Sequence, residues 1–160
     1  MKKVLILFIA CISLFELKAQ KKLPKIDIQN LKGQIVSTQS FVSSDMPVVI
    51  SFWATWCKPC LVEMQTISDV FDDWQKEKAF KFIAVSTDDS RSSSKVKSLV
   101  AGKGWPFDFY LDPNQDLKRA LNINMVPFLI IINKEGEIVY EHSGYTVGDE
   151  EFLFKKLKDL

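Results

Sequence analysis

Two cysteines separated by two residues, Cys57-Lys58-Pro59-Cys60, are the residues of this chain whose types and spacing best suit chemistry. On a helical turn a thiol pair at this spacing comes within disulfide reach and can exchange electrons with an outside disulfide. The pair lies where a β-prone run, Val48-Val49-Ile50-Ser51-Phe52-Trp53, gives way to a helical apolar period starting at Pro59. A cysteine at a helix N-terminus meets unpaired backbone N–H groups and the positive end of the dipole, both of which favour thiolate over thiol. Pro59 suits that first turn, where a missing N–H has no helical partner to lose, and Lys58 adds a positive charge. In such a site Cys57 attacks a substrate disulfide and Cys60, one turn deeper, resolves the mixed disulfide. The competing reading of a cysteine pair is half of a zinc site, which needs two further ligands. Beyond the pair the chain offers Cys11 and a single histidine, His142.

The elements that must position the pair alternate along the chain. Residues 20–47 are polar and turn-rich, with a short hairpin at Leu31-Lys32-Gly33-Gln34-Ile35 and a loop at Ser43–Pro47. Val48–Trp53 is a continuous apolar run, as for a strand covered on both faces. A helix follows from Pro59 to about Lys78, with Val62, Ile67, Val70, Phe71 and Trp74 as its apolar face. Phe80–Ser86 reads as a second buried strand. Ser92-Ser93-Ser94 offers caps for a helix carrying Val96, Leu99 and Val100, which Gly102 and Gly104 stop. Phe107–Leu111 reads as a strand, Gln115–Leu121 as a short helix and Phe128–Ile132 as the third buried strand. A turn at Lys134–Glu137 leads into a last strand, Ile138–His142, and Asp149 caps a helix with Phe152, Leu153 and Leu157 inward. The pattern is one α/β domain around a central mixed sheet flanked by helices.

The first nineteen residues read as an address. Lys2 and Lys3 precede an almost wholly apolar stretch, Val4–Phe15, and Ala19 stands just before Gln20 as a signal-peptidase site. The stretch suits a signal peptide and falls short of the roughly 20 residues that span a bilayer; retention as an anchor is the alternative. Cleavage removes Cys11, three lysines and Glu16, taking the net charge from +1 to −1 and the cysteines from three to two. The surviving pair would then work in an exported compartment, periplasm or envelope, where disulfides persist. A lone close pair closes almost no loop and constrains little of the unfolded chain, which favours a catalytic over a scaffolding role. With 160 residues, 47% hydrophobic and 26% charged, the chain has a core and is not disordered. Near-balanced charge argues against nucleic acid as a partner, and Lys155-Lys156 and Lys158 read as cations at the C-terminal end of a helix.

With its run Val48–Cys60, the chain resembles the thioredoxin superfamily and, within it, the exported ResA/TlpA-like branch. The resemblance covers residues 24–160 and includes the N-terminal hairpin and an insert at about 89–122, with Trp105-Pro106-Phe107 and Leu111-Asp112. It divides the chain into a leader at 1–19, an extension and hairpin at 20–47, and a thioredoxin-like domain at 48–160. It implies a thioredoxin fold and reversible dithiol–disulfide exchange with protein cysteines; no cofactor or metal site is expected, and the chain is expected to act as a monomer. Pro127, in Met125-Val126-Pro127-Phe128, matches the family's cis-proline. Such a bond would aim the Val126 backbone at the active site, for pairing with an extended substrate segment. Trp56, with Lys58 and Pro59, would line the same docking surface.

Cytosolic members of the superfamily carry a buried Asp on the strand before the motif; here that position is Ser51, which cannot accept a proton in the same range. The exported branch places a Glu three residues past the second cysteine, and Glu63 stands there. Cys60 and Glu63 share a helix face, so a buried Glu63 could take the Cys60 proton; the alternative is a solvent-facing helical Glu. The resemblance favours a reductant, supplied with electrons by a membrane thiol–disulfide partner and serving exported proteins or apocytochromes. Lys58 argues mildly for a disulfide-introducing oxidant. From another class comes a Cu(I)-binding module made of Cys57, Cys60 and His142, disfavoured by a cis-proline beside the pair. Peroxide-reducing cysteines of a related family follow a Thr three positions earlier, where this chain has Ala54.

Overall fold

The computed structural model describes residues 21–43 and 45–160; the expected leader at 1–19, with Cys11, lies outside the described residues. In chain order the elements are β1 (Asp27–Asn30), β2 (Ile35–Ser37), β3 (Val48–Trp53), α1 (Lys58–Glu77), β4 (Lys81–Ser86), α2 (Ser93–Lys103), β5 (Asp108–Leu111), α3 (Asp116–Ala120), β6 (Phe128–Ile132), β7 (Ile138–Ser143) and α4 (Asp149–Lys158). The strands form one sheet in the order β2-β1-β5-β4-β3-β6-β7. β3 runs parallel to β4 and antiparallel to β6, so the sheet is mixed and the cysteine-bearing junction leaves from an interior strand.

Side-chain alternation splits the core in two. Val49, Trp53, Phe82, Ala84, Leu129 and Ile131 face the cluster that also contains residues of α1, α2 and α4. Val48, Ile50, Phe52, Ile83, Val85 and Ile130 face the opposite cluster, with Leu117 of α3, Phe41 and Leu23. Ser51 shares the parity of Val49 and Trp53 and so points toward α1. All six residues of β3 are buried, which is why the run reads as apolar sequence interrupted only by one serine.

Five local expectations are corrected. Val62 is 46% exposed and Met64 fully buried. Cys60, Met64, Ile67 and Trp74 set the phase of α1, which rotates position 62 to solvent and position 63 inward. Phe152 is likewise 67% exposed, while Phe154 stacks on Trp74 with ring centroids 4.5 Å apart. Gly102 lies inside α2, and Gly104, at φ 63°, is the residue that stops it, since a left-handed terminus favours glycine. Ser92 makes no side-chain cap to α2, and Asp149 lies in the first turn of α4 with Gly148 at the cap position. Among the described residues no helix is long and apolar enough to cross a membrane.

These burials generate a paired stability prediction. Ile131→Ala, at a fully buried sheet position, is expected to cost about 2–5 kcal/mol. Phe152→Ala should change stability by less than about 0.5 kcal/mol in urea unfolding; a comparable loss for both would mean that the face of α4 is misassigned.

Candidate active site

β3 delivers the chain at Trp53 to a short loop, and Cys57 ends that loop as the residue capping α1. Its sulfur accepts the Cys60 N–H at 3.3 Å, and the two cysteines are disulfide-bonded with Cα atoms 5.3 Å apart. Both are buried, Cys60 fully. Lys58 and Pro59 occupy the exposed first turn. The sulfur nearer the surface therefore sits at the positive end of a twenty-residue helix, the position that stabilises a thiolate when the disulfide opens.

The loop is held from the neighbouring strand by Asp88, which the sequence reading passed over. Its carboxylate accepts from the Thr55 backbone N–H at 2.8 Å, from the Thr55 hydroxyl at 2.7 Å and from the Ser86 hydroxyl at 2.8 Å. The Thr87 N–H donates to the Trp53 carbonyl at 2.8 Å. Asp88 is two residues past β4, and β4 ends beside β3 because the two are parallel and in register at Trp53 and Ser86. Only that pairing reveals its role; an Asp after a strand otherwise reads as an ordinary turn residue.

The Val126–Pro127 bond is cis. Phe128 pairs with Phe52, so Pro127, buried just before β6, lies at the end of the sheet from which the cysteine loop leaves. Val126 packs against both cores. Trp56 at 69%, Met125 at 59% and Val62 are large apolar side chains left exposed on the cysteine loop, the loop before β6 and the start of α1. Trp53, by contrast, is fully buried against Trp105 and Phe109.

One helical turn inside Cys60, Glu63 is 3% exposed. The Ser51 hydroxyl donates to its Oε2 at 2.9 Å. Of the two sequence readings the inward one holds geometrically, and the serine in place of an acid proves to be the carboxyl's partner. Burial pushes the Glu63 pKa from 4.5 up to about 7; the Ser51 bond opposes the rise and the nearby Asp149 carboxylate adds to it. A carboxyl that titrates near neutrality can both take and return a proton there. His142, on β7, lies with Nε2 3.3 Å from Asp149 Oδ2. Among the described residues no group of three His, Cys, Asp or Glu side chains is placed to hold a metal ion, so the set Cys57, Cys60 and His142 is not assembled.

A mixed sheet with a two-cysteine disulfide at the N-terminus of the helix after its central strand defines a thioredoxin-like thiol–disulfide oxidoreductase. The chain belongs to the AhpC/TSA family, which matches residues 19–141. The thiol-disulfide oxidoreductase ResA of Bacillus thuringiensis is 27% identical over 137 residues, covering 84% of this chain and 76% of the relative. An uncharacterized thioredoxin-like protein from Porphyromonas gingivalis is 43% identical, with a TM-score of 0.77 over 86% of this chain and 90% of that one. A putative thiol:disulfide interchange protein DsbE from Chlorobium tepidum shares the fold, with a TM-score of 0.75 at 22% identity over 88% and 95% of the two chains.

The buried carboxyl has a measurable signature. Its folded pKa of about 7 lies above the ordinary 4.5, so the folded state holds an extra proton between those values. That contribution to stability is full below the lower value and is lost as pH rises through the upper one. Glu63→Gln keeps a hydrogen-bonding partner for Ser51 but cannot titrate. Relative to wild type, its unfolding free energy should gain on the order of 3 kcal/mol across this window. A difference that stays flat with pH would mean that Glu63 is already ionised in the fold.

Proposed function

We propose that this is an exported protein-disulfide reductase in which Cys57 is the nucleophile, Cys60 the resolving thiol and Glu63 the acceptor of the Cys60 proton. The observation that carries the reading is the reactive pair at a helix N-terminus with a buried, near-neutral carboxyl one turn behind it. In the reduced protein the Cys57 thiolate attacks a substrate disulfide and releases the first substrate sulfur. Cys60 then gives its proton to Glu63 and displaces the second, leaving Cys57–Cys60 oxidised and the substrate reduced by two electrons.

Trp56 and Met125 offer the apolar surface against which a substrate protein would dock. Val126, beside Pro127, offers backbone for strand addition by an extended segment; Lys58 and Pro59 complete the rim. The leader-like residues 1–19 support export to the periplasm or envelope, and a membrane thiol–disulfide protein would return the two electrons. The working unit is a monomer. Lys58 argues for the oxidant reading, but it projects from an exposed turn, where solvent screens its charge.

The deciding experiment is the reduction potential of Cys57–Cys60, obtained by equilibrating the protein in graded redox buffers and trapping thiols by alkylation. A reductant is expected near the thioredoxin value of roughly −270 mV. A potential near about −120 mV would make the protein a disulfide-introducing oxidant instead.

A further inference from the structure

Glu63 lines a small pocket between α1, β6, β7 and the start of α4, whose lining includes neither cysteine nor Pro127. Its other polar members are Tyr140 and His142 from β7, Tyr145 from the following loop, and Asp149 and Glu150 from α4; apolar side chains complete it. It has room for about one water molecule. The Tyr145 hydroxyl donates to Glu150 Oε2 at 2.8 Å, and the Thr146 N–H to Asp149 Oδ2 at 2.7 Å. The imidazole of His142 shares that Asp149 oxygen at 3.3 Å, and both side chains remain about one-third exposed, against 3% for Glu63. The pocket therefore joins a buried carboxyl to an imidazole–carboxylate pair that solvent reaches.

We propose that this pocket is a proton exit from Glu63, with His142, oriented by Asp149, passing the proton between Glu63 and solvent. The inference rests on Glu63 taking the Cys60 proton. During resolution the S–H of Cys60 loses its proton to the Glu63 carboxylate, the Cys57–Cys60 bond forms, and the bond from Cys57 to the substrate sulfur breaks with that sulfur leaving as thiolate. The proton then sits on a buried carboxyl, while the docked partner covers the face carrying Trp56 and Cys57. The pocket side of Glu63, which none of Trp56, Cys57 and Cys60 lines, is the one that meets solvent-reachable groups. There the neutral carboxyl passes its proton across the water-sized space of the pocket to the imidazole, which releases it to solvent; re-reduction of the pair runs the route backwards. Imidazole is the side chain best suited to carry protons near neutrality.

The groups facing Glu63 fit this assignment. Ser51 from β3 is uncharged and donates, and Cys60 precedes it on its own helix. From β7 come Tyr140 and His142, from the loop Tyr145, and from α4 the carboxyls of Asp149 and Glu150; no lysine or arginine lines the pocket. The Asp149 carboxylate helps raise the Glu63 pKa, and Glu63 helps raise that of Tyr145, so these groups lie close enough to feel one another's charge. His142 touches no reacting atom and acts through Glu63.

The test is stopped-flow resolution of the mixed disulfide formed between reduced full-length protein and a disulfide-bonded peptide. It is run at pH 6, below the Glu63 midpoint of about 7, where the carboxyl starts protonated and must shed that proton before it can take the one on Cys60. The proteins are wild type, His142→Gln, Asp149→Asn and Glu63→Gln, with and without added imidazole. At this pH His142→Gln is expected to slow resolution about tenfold, because Glu63 empties more slowly, with imidazole restoring the rate and the preceding attack by Cys57 unchanged. Asp149→Asn should slow it in the same step. Wild-type resolution by His142→Gln, or slowing that imidazole does not rescue, overturns the exit. If Glu63→Gln is slow in either case, the role of Glu63 survives; if Glu63→Gln also resolves normally, that role falls and the exit with it.

Discussion

The hydrogen bond from Ser51 to Glu63 joins the central strand to the helix that carries the disulfide, and the site depends on it. It forms only when two periodicities agree. On β3, Ser51 must share the parity of Val49 and Trp53, which sends it toward α1 and sends Val48, Ile50 and Phe52 to the other core. On α1, position 63 must fall on the buried side with Cys60, Met64 and Ile67. A one-residue slip of the strand would turn Ser51 away and bring an apolar side chain against the carboxyl. The bond is thus a register mark for the fold as well as the partner of a functional group.

The electrostatics follow from that placement. Buried carboxylates normally find a cation or several donors; Glu63 has one hydroxyl donor and, nearby, the carboxylate of Asp149. One hydroxyl is too weak to offset the lost hydration, so the neutral acid is favoured up to about pH 7. The fold tolerates a costly group one turn from a disulfide at the working end of a long helix, and functional sites are where such costs recur. At that end the Asp88 hydrogen bonds fix the approach of the loop, so the disulfide is held from both the parallel neighbour and the helix it caps.

Much of this was legible in the residues. Each β-prone run marks a strand because interior strands of a covered sheet are apolar on both faces, and Cys57–Cys60 stands out because few chemistries use that spacing. The resemblance carried Pro127 and Glu63. Less legible was whatever depends on phase or on pairing between distant segments. Val62 reads as inward by its apolar type, against its position on the helix; the inward neighbour is an acid, a type that sequence patterns send outward. Phe152 misled in the same way beside Phe154. Asp88 and the Tyr145, His142 and Asp149 grouping have no local signature, because one exists only where β4 ends beside β3 and the other only where α4 folds back over β7.

The central claim is that Glu63 is a buried acid poised to exchange a proton at neutral pH. The most direct measurement is the titration of its side-chain carboxyl by carbon NMR in the oxidised protein, with Glu63→Gln assigning the resonance. The account predicts a midpoint at about 7. A midpoint at the ordinary 4.5 would contradict it, leaving Glu63 an anion throughout the working range and too weak a base to hold the Cys60 proton.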